Sequence, residues 1–380
     1  MENSINLSSD DLFDYLIEQF KKIDEKLFSN FTESFIDLLS EAANLGKVET
    51  SKKITKLIFE QQKDDNDNKI DFSLPFYNAA VSGSAEICQF FIDSKVYINF
   101  ELILLQVQRI ASVNKDVLDI FIKNLTPSSK EILISCYIEE AIHAKNKYLI
   151  EYLLKENAFC NDALFDAVNT DDIEIVNMIL EKNSTPSFIN RISINGTALN
   201  LAVLMNNIEI VKRFFTIPEI DLSLYESDSM TPLITSISEN NIEIFDAIIE
   251  YYGPNIQSQE WQINEAIKYI LMNIPIVSSF KNKDSNMNSI LSKIIEFEFA
   301  DLNCIVNGFT LFLYCCQNNE IEIVKKMIKI DKVDVNLCAE EDGNTPLMVA
   351  IDSNHIEIAK LLIECERTNI NKKNCEEETA

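Results

Sequence analysis

The stretch DGNTPLMVAIDSNHIEIAKLL, residues 342–362, contains the signals for two short helices joined by a tight turn. Thr345 followed by Pro346 predicts a helix start, because a threonine hydroxyl accepts a backbone N–H bond and proline fits the first helical turn. Ala350 is small where two helices must approach closely, and Asn354 can adopt the left-handed conformation that the turn requires. The second helix is predicted to bury an apolar stripe at about 3.6-residue spacing, namely Ile356, Ile358, Leu361 and Leu362.

The same pattern recurs upstream at nearly constant spacing. Thr310 lies 35 residues before Thr345, and Thr197 lies 34 residues before Thr231. Each of these threonines leads into an Ile-Glu-Ile segment 11 residues later. Asp162 takes the same capping position in another unit. A regular period of this length is typical of a repeat architecture, in which each unit stacks on its neighbours.

The turn between paired helices forms a second column at the same period. Glycine, or failing that asparagine, suits a left-handed turn residue. Asn240 and Asn319 are separated by 79 residues, about twice the usual spacing, which predicts one more unit near 255–303. Ala266 is predicted to start the first helix of that unit, and an insertion is predicted near 271–288. The column consists of Gly46, Gly83, Asn114, Lys145, Asp171, Asn206, Asn240, Asn319 and Asn354.

These features resemble the ankyrin repeat, whose pattern G-x-T-P-L-H-x-A-A precedes a turn glycine and paired leucines. The resemblance implies an all-α, ankyrin-type solenoid of antiparallel helix pairs joined by short hairpin loops. It covers residues 33–380 as roughly nine to ten units, several of them degenerate. The chain departs from the pattern at the motif histidine, whose position is occupied by Tyr77, Phe165, Asn200, Ile234, Leu313 and Met348 in different units. We therefore expect that residue's polar contacts to be absent and the helix starts to be held by packing.

The two ends of the chain carry separate expectations. Residues 8–31 show one apolar stripe, so residues 1–32 are interpreted as an N-terminal helical cap over the first repeat. A helix that binds a partner or mediates oligomerisation is the alternative. At the other end, Thr379 lies 34 residues after Thr345, where a further repeat would begin. This spacing favours a chain that is a fragment of a longer array.

Composition restricts the partners. The net charge of −28 disfavours nucleic acid and anionic membrane, which are both polyanions. A protein partner with a basic surface stays open, and the favoured alternative is that the acidic charge only keeps the protein soluble. Nine irregularly spaced cysteines and an N-terminus without a signal peptide predict a reducing location, the cytoplasm, with the nucleus left open. The apolar run 267–280 is too short and too interrupted for membrane insertion. The chain is predicted to be monomeric.

The sequence offers little to catalysis, cofactors or metals. The six glycines are never clustered, so a phosphate-binding loop is excluded. Only His143 and His355 are present, and neither has a nucleophile partner in the sequence. The acidic run 64–71 lacks the glycine and glutamate of a calcium loop, and no C-x-x-C motif marks a zinc site. We therefore predict a non-catalytic protein without cofactor or metal.

The resemblance implies a scaffold or adaptor that binds a protein on the hairpin tips and first helices of its repeats. Two alternatives stay open: a regulatory or inhibitory subunit of a partner enzyme, and a membrane-skeleton adaptor. The candidate contact residues, carried over by position, are Tyr225, Asp228, Met230, Glu341, Asp342, Asn344, Met348 and Asp352.

Overall fold

The computed structural model describes residues 9–22, 32–61, 70–104, 115–194, 196–224, 230–273, 286–338 and 342–380. The chain divides into two compact units, Met1–Lys182 and Asn183–Ala380. The described parts of both units consist mainly of short helices in antiparallel pairs, which is the predicted all-α solenoid of helical repeats.

The first unit contains twelve described helices. Helix α1 packs against α3, α2 packs against both α3 and α4, and α9 packs against α10 and α11. The helices are α1 (Ser9–Phe20), α2 (Thr32–Asn44), α3 (Val48–Gln61), α4 (Ser73–Val81), α5 (Ala85–Asp93), α6 (Phe100–Leu104), α7 (Lys115–Asn124), α8 (Pro127–Cys136), α9 (Ile138–His143), α10 (Lys147–Lys155), α11 (Ala163–Asn169) and α12 (Ile173–Lys182).

The second unit begins with α13 (Pro186–Ile189) and a two-residue hairpin in which β1 (Ile192–Ser193) pairs antiparallel with β2 (Gly196–Thr197). Five first helices follow in one row: α14 (Ala198–Leu204), α16 (Pro232–Ser238), α18 (Glu260–Met272), α20 (Leu311–Gln317) and α22 (Pro346–Asp352). Their partners form a second row: α15 (Ile208–Phe215), α17 (Ile242–Tyr252), α19 (Asn286–Ile294), α21 (Ile321–Met327) and α23 (Ile356–Glu364).

The predicted threonine caps are confirmed. The hydroxyls of Thr197, Thr231, Thr310 and Thr345 each accept the backbone N–H of the residue three positions later, at 3.1–3.3 Å, and each threonine is at most 3% exposed. The corresponding prediction for Asp162 is wrong. Its backbone is already near the helical region, with φ −97° and ψ −1°, and its side chain makes no capping bond to α11.

The predicted turn column is also confirmed. Its described members all have positive φ, from 52° at Lys145 and Asn240 to 77° at Gly83. Asn114 lies outside the described residues. The asparagine that follows has a second role: Asn207 and Asn241 cap α15 and α17 through their side-chain oxygens. An Asn-Asn pair therefore supplies both the left-handed residue and the helix cap.

The small-residue column is fully buried, as close helix approach requires. Ala79, Ala167, Ala202 and Ala350 are each 0% exposed. Cys315 occupies the same column in α20 and is equally buried, so it takes the place of the alanine there. Because a Cβ methyl already fills the available space, a larger side chain in this column would have to displace a neighbouring helix.

The additional unit predicted near 255–303 is present as α18 and α19. Its predicted start at Ala266 is wrong, because α18 begins at Glu260, directly after a 3-10 helix, and Ala266 lies in its buried middle. The predicted insertion overlaps the end of α18 and the start of α19. Residues 274–285 lie outside the described residues.

The N-terminal stripe is helical over part of its predicted length. Helix α1 ends at Phe20, and residues 23–31 are outside the described residues. Phe13 and Ile17 are buried where α1 packs on α3, whereas Leu12 is 50% exposed. The described part of this helix therefore covers apolar surface of the first repeat, and the division into 1–32 and 33–380 stays a prediction.

None of the helices within the described ranges is long and apolar enough to cross a membrane. All nine cysteines are free thiols.

Candidate protein-binding site

Asparagine side chains connect successive hairpin loops of the second unit. Asn303 Oδ1 accepts the backbone N–H of Asp334 at 2.9 Å, and its Nδ2 donates to the carbonyl of Lys332 at 2.7 Å. Asn190 and Asn336 make the same pair of bonds to the loops that follow them. Each amide thereby fixes one loop against the next, so the loops are ordered before any partner arrives.

Two basic residues of the second unit, Lys332 and Arg367, donate hydrogen bonds to backbone carbonyl groups of the protein itself. Lys332 Nζ donates to the carbonyls of Ala300 and Phe297, at 2.7 and 3.3 Å, after the end of α19. Arg367 donates to the carbonyl oxygens of Asp331 and Val333 in the same way, after α21. Their positive charges satisfy carbonyl groups near helix ends, where cations are favoured.

The eight candidate contact residues fall into three groups in the structure. Tyr225, Asp228 and Glu341 lie outside the described residues. Met230 is half-buried, and its carbonyl accepts a 2.7 Å hydrogen bond from Asn200 Nδ2. The other four candidates surround a single pocket of about 460 Å³ beside α22, namely Asp342, Asn344, Met348 and Asp352.

The far wall of this pocket is a loop that sequence reasoning did not assign to the site. Cys375 donates its N–H to the carbonyl of Asp342 at 3.0 Å, and Asn374 Nδ2 donates to Asn344 Oδ1 at 2.9 Å. Gly343, at φ 67°, permits this approach, since a Cβ there would lie 2.9 Å from Cys375 Sγ. The loop therefore packs tightly against the hairpin tip.

The pocket combines negative charge with an apolar floor. Its carboxylates are Asp342, Asp352, Glu376 and Glu378, and none of the described residues that line it is basic. Ile351 is 46% exposed beside it, while Met348 is only 6% exposed and presents just its edge. This arrangement can hold a cationic group through charge-assisted hydrogen bonds while apolar surface covers its alkyl stem.

The expectation that replacing the motif histidine removes its polar contacts is wrong at two positions. Asn200 bridges to the carbonyl of Met230, as described above. The sulfur of Met348 accepts the backbone N–H of Thr345 at 3.4 Å, while the Thr345 hydroxyl accepts the N–H of Met348. The Asn200 amide is a donor and the Met348 sulfur is an acceptor, and both side chains are long enough to reach a backbone group. Each residue therefore makes a hydrogen bond at the position of the histidine, with a different partner atom.

A sequence signal for the loops was available. The segments Asp301-Leu-Asn303 and Asp334-Val-Asn336 share an Asx turn, in which the first side chain accepts the N–H two residues on. Asn369 repeats the turn, and Asn374 does so in the pocket wall by accepting the N–H of Glu376. The last residue of this Asp/Asn pattern is Asn374, so the pattern predicts the loop that forms the wall of the pocket.

Ordered helix pairs, a buried column of small residues and tips joined by asparagine define a helical-repeat interaction module. The family model described as ankyrin repeats, in three copies, matches residues 164–260 and again 276–374, which together are just over half of the chain. The chain belongs to the ankyrin-repeat family. Its repeats form a protein–protein interaction domain, and this fold is a non-catalytic module.

Two individual proteins show the range of similarity. The NAD-dependent deacetylase sir2B of Dictyostelium discoideum is 25% identical over 184 residues, which are 48% of this chain and 22% of that protein. The chain thus spans about a fifth of the length of the curated relative it matches. The crystal structure of the ankyrin repeat domain of Bcl-3, a member of the IkappaB family, aligns with a TM-score of 0.44 and 15% identity, covering 57% of this chain and 91% of that domain.

Proposed function

We propose that the second unit is a scaffold or adaptor surface that binds a basic segment of a protein partner, with a lysine or arginine side chain in the acidic pocket. The observation that carries the proposal is the convergence of four carboxylates around an apolar floor, with no basic residue among the described residues of the lining. An exposed ion pair contributes only about 0.2–1 kcal/mol. Several carboxylates around one cation therefore favour selection of basic partners more than high affinity.

Preorganisation supports the same surface. The pocket is bounded on one side by α22, whose start Thr345 caps, and on the other by a loop bonded to Asp342 and Asn344. A partner that docks here orders few additional side chains, and the entropy cost of binding is correspondingly small. Tyr225 and Asp228, candidates from an earlier repeat that lie outside the described residues, are proposed to extend the contact.

The test is a charge reversal with a matched control. The double variant Asp342→Lys/Asp352→Lys and the control Glu364→Lys/Glu366→Lys change the net charge equally, and the control residues are exposed outside the pocket. Binding to immobilised Lys/Arg-rich peptides is measured by surface plasmon resonance, with acidic and neutral peptides as references. We expect the pocket variant to lose about tenfold or more in affinity, corresponding to about 1.4 kcal/mol.

The control should retain near wild-type affinity, and wild-type binding should weaken as salt rises because exposed charges are screened. Equal loss in both double variants would show that only overall charge matters. Undiminished binding by the pocket variant, or equal wild-type affinity for neutral peptides, would contradict the assignment of the pocket as a cation receptor.

A second candidate is a regulatory or inhibitory subunit of a partner enzyme. The similarity of 184 residues to part of a protein named as an NAD-dependent deacetylase favours it. The test adds the wild-type chain or its pocket variant to a cell extract and measures NAD-dependent deacetylation. A change in rate with the wild-type chain alone supports regulation through the pocket, whereas no change with either chain counts against this candidate.

A further inference from the structure

Three metal-ligating side chains, Glu139, Cys160 and Asp166, converge in the first unit, and His143 contacts the last of them. Glu139 and His143 are four residues apart in α9, so they lie on one face of the helix. Cys160 follows α10 in the loop before α11, and Asp166 belongs to α11. No local pattern pairs His143 with a cysteine, because Cys160 lies 17 positions further along the chain and α10 lies between them.

The ligand atoms lie close to the separations that a tetrahedral ion requires. With metal–sulfur bonds of about 2.3 Å and metal–oxygen or metal–nitrogen bonds of about 2.0 Å, ligand atoms around zinc are about 3.3–3.5 Å apart. His143 Nε2 lies 3.3 Å from Asp166 Oδ1. Oxygen or sulfur atoms of Glu139, Cys160 and Asp166 all lie within 4.8 Å of one another. His143 lies within this distance of Asp166 but not of all three residues, so its ring, which is 60% exposed, has to turn towards them to join the coordination shell.

Hydrogen bonds connect the side chains of this cluster, and the Cys160 thiol is the donor in one of them. The Cys160 thiol donates to Glu139 Oε1 at 2.7 Å, and the Asp162 N–H donates to Cys160 Sγ at 3.2 Å. Imidazole and carboxylate pair at the other side, between His143 and Asp166. A cation placed among these groups would replace the thiol proton, and that proton would leave to solvent.

We propose that Glu139, His143, Cys160 and Asp166 form a binding site for a divalent cation of the zinc class. A thiolate and an imidazole beside two carboxylates match the ligand preferences of zinc, whereas calcium and magnesium take oxygen ligands alone. The second shell is partly in place, since the backbone N–H of Asp162 already points at the sulfur. Once the ring of His143 joins the other three ligands, the coordination is complete and the site is of the structural kind.

The position of the cluster gives it a role in the repeat. Asp162 precedes helix α11 as its N-cap residue but makes no side-chain capping bond of the kind that threonine provides in the second unit. An ion held by α9, the loop and α11 would join two adjacent first helices across this uncapped start. The metal site thereby takes over the stabilising task of the missing repeat residue.

The test uses cobalt(II) as a spectroscopic substitute for zinc in the purified full chain under reducing conditions. We expect one equivalent of Co²⁺ to give thiolate-to-metal charge-transfer absorption and the strong d–d bands of tetrahedral coordination, and added Zn²⁺ to abolish both. Cys160→Ser should lose the charge-transfer absorption, and Cys136→Ser, which removes an exposed thiol of the same unit, should keep it. His143→Ala and Asp166→Asn should weaken zinc binding by about tenfold or more, the effect expected even for an outer-shell partner.

Zinc should also raise the melting temperature of the wild-type chain and of Cys136→Ser, but not that of Cys160→Ser, because an ion that binds only the folded state stabilises it. Circular dichroism of each variant without metal establishes that it is folded. Absence of thiolate absorption in the wild-type chain would overturn the proposal. So would its persistence in Cys160→Ser, since another cysteine would then be the ligand.

Discussion

The first helices of the second unit and helix α11 of the first unit begin at the same repeat position by different means. In the second unit a buried threonine accepts a backbone N–H, as Thr345 does from Met348 at 3.3 Å. At Asp162 the backbone is close to helical and no side-chain cap forms; its own N–H donates instead to Cys160. The helix forms in both cases. A capping residue therefore contributes stability to a repeat without being needed to define it.

Two other columns are common to both units. The turn residue is left-handed whether it is glycine, asparagine, lysine or aspartate, and the small residue of the first helix is fully buried in every unit cited above. Both columns are set by geometry, one by the direction of the chain between helices and one by the distance between first helices. Repeat identity thus depends on backbone direction and close packing more than on hydrogen-bonding side chains.

The largest expected effect comes from filling the small-residue column. Ala79→Leu in the first unit and Ala202→Leu in the second should each lower the free energy of unfolding by about 1–3 kcal/mol, because both positions are 0% exposed and overpacking forces helices apart. Urea unfolding measures both, with circular dichroism for the whole chain. Fluorescence of Trp261, the single tryptophan, reports the second unit.

The control for overpacking is a leucine at an exposed helical position, Lys360→Leu in α23. It should change the free energy of unfolding by no more than about 0.5 kcal/mol, as is usual for surface substitutions. If Ala202→Leu were as well tolerated as the control, the column would not set the helix spacing, and the common basis of the two units would have to be sought elsewhere.

Removing the cap residue should lower the free energy of unfolding by different amounts in the two units, and both effects should be smaller than that of overpacking. Thr231→Ala removes the cap of α16, a 3.3 Å bond from the N–H of Ile234, and should cost about 1–2 kcal/mol. Asp162→Ala should cost clearly less, because no capping bond is lost. Trp261 fluorescence during urea unfolding measures the first change, and amide hydrogen exchange in α11 measures the second. Equal losses at the two positions would abolish the distinction drawn between them.

These contrasts show which features of the repeats can be predicted from the sequence. Thr345 and Asn354 could be placed correctly because their tasks are local: a cap and a left-handed turn depend on neighbours within four residues. The start of α18 at Glu260 was missed because no Thr-Pro pair marks it. Four of the residues that line the acidic pocket follow from their position in the repeat, whereas its wall at 374–378 depends on a contact with Gly343 across some 30 residues. A contact between residues so far apart in the chain cannot be predicted from a local sequence pattern.

The smallest effect tests the left-handed column itself. Lys145 and Asn354 have φ of 52° and 56°, and the two residue types differ in how well they tolerate that region. Lys145→Gly should stabilise the chain by about 0.5–1 kcal/mol, because glycine removes the clash of a Cβ with the neighbouring carbonyl and this gain exceeds the added entropy of the unfolded chain. Asn354→Gly should change stability by only a few tenths of a kcal/mol, since asparagine already visits this conformation readily. Differential scanning calorimetry of the two variants beside the wild-type chain measures the pair. Lys360→Gly, at an exposed position in the middle of α23, supplies the opposite sign because glycine weakens a helix interior. A destabilised Lys145→Gly would mean that the lysine side chain contributes contacts worth more than the backbone strain it imposes.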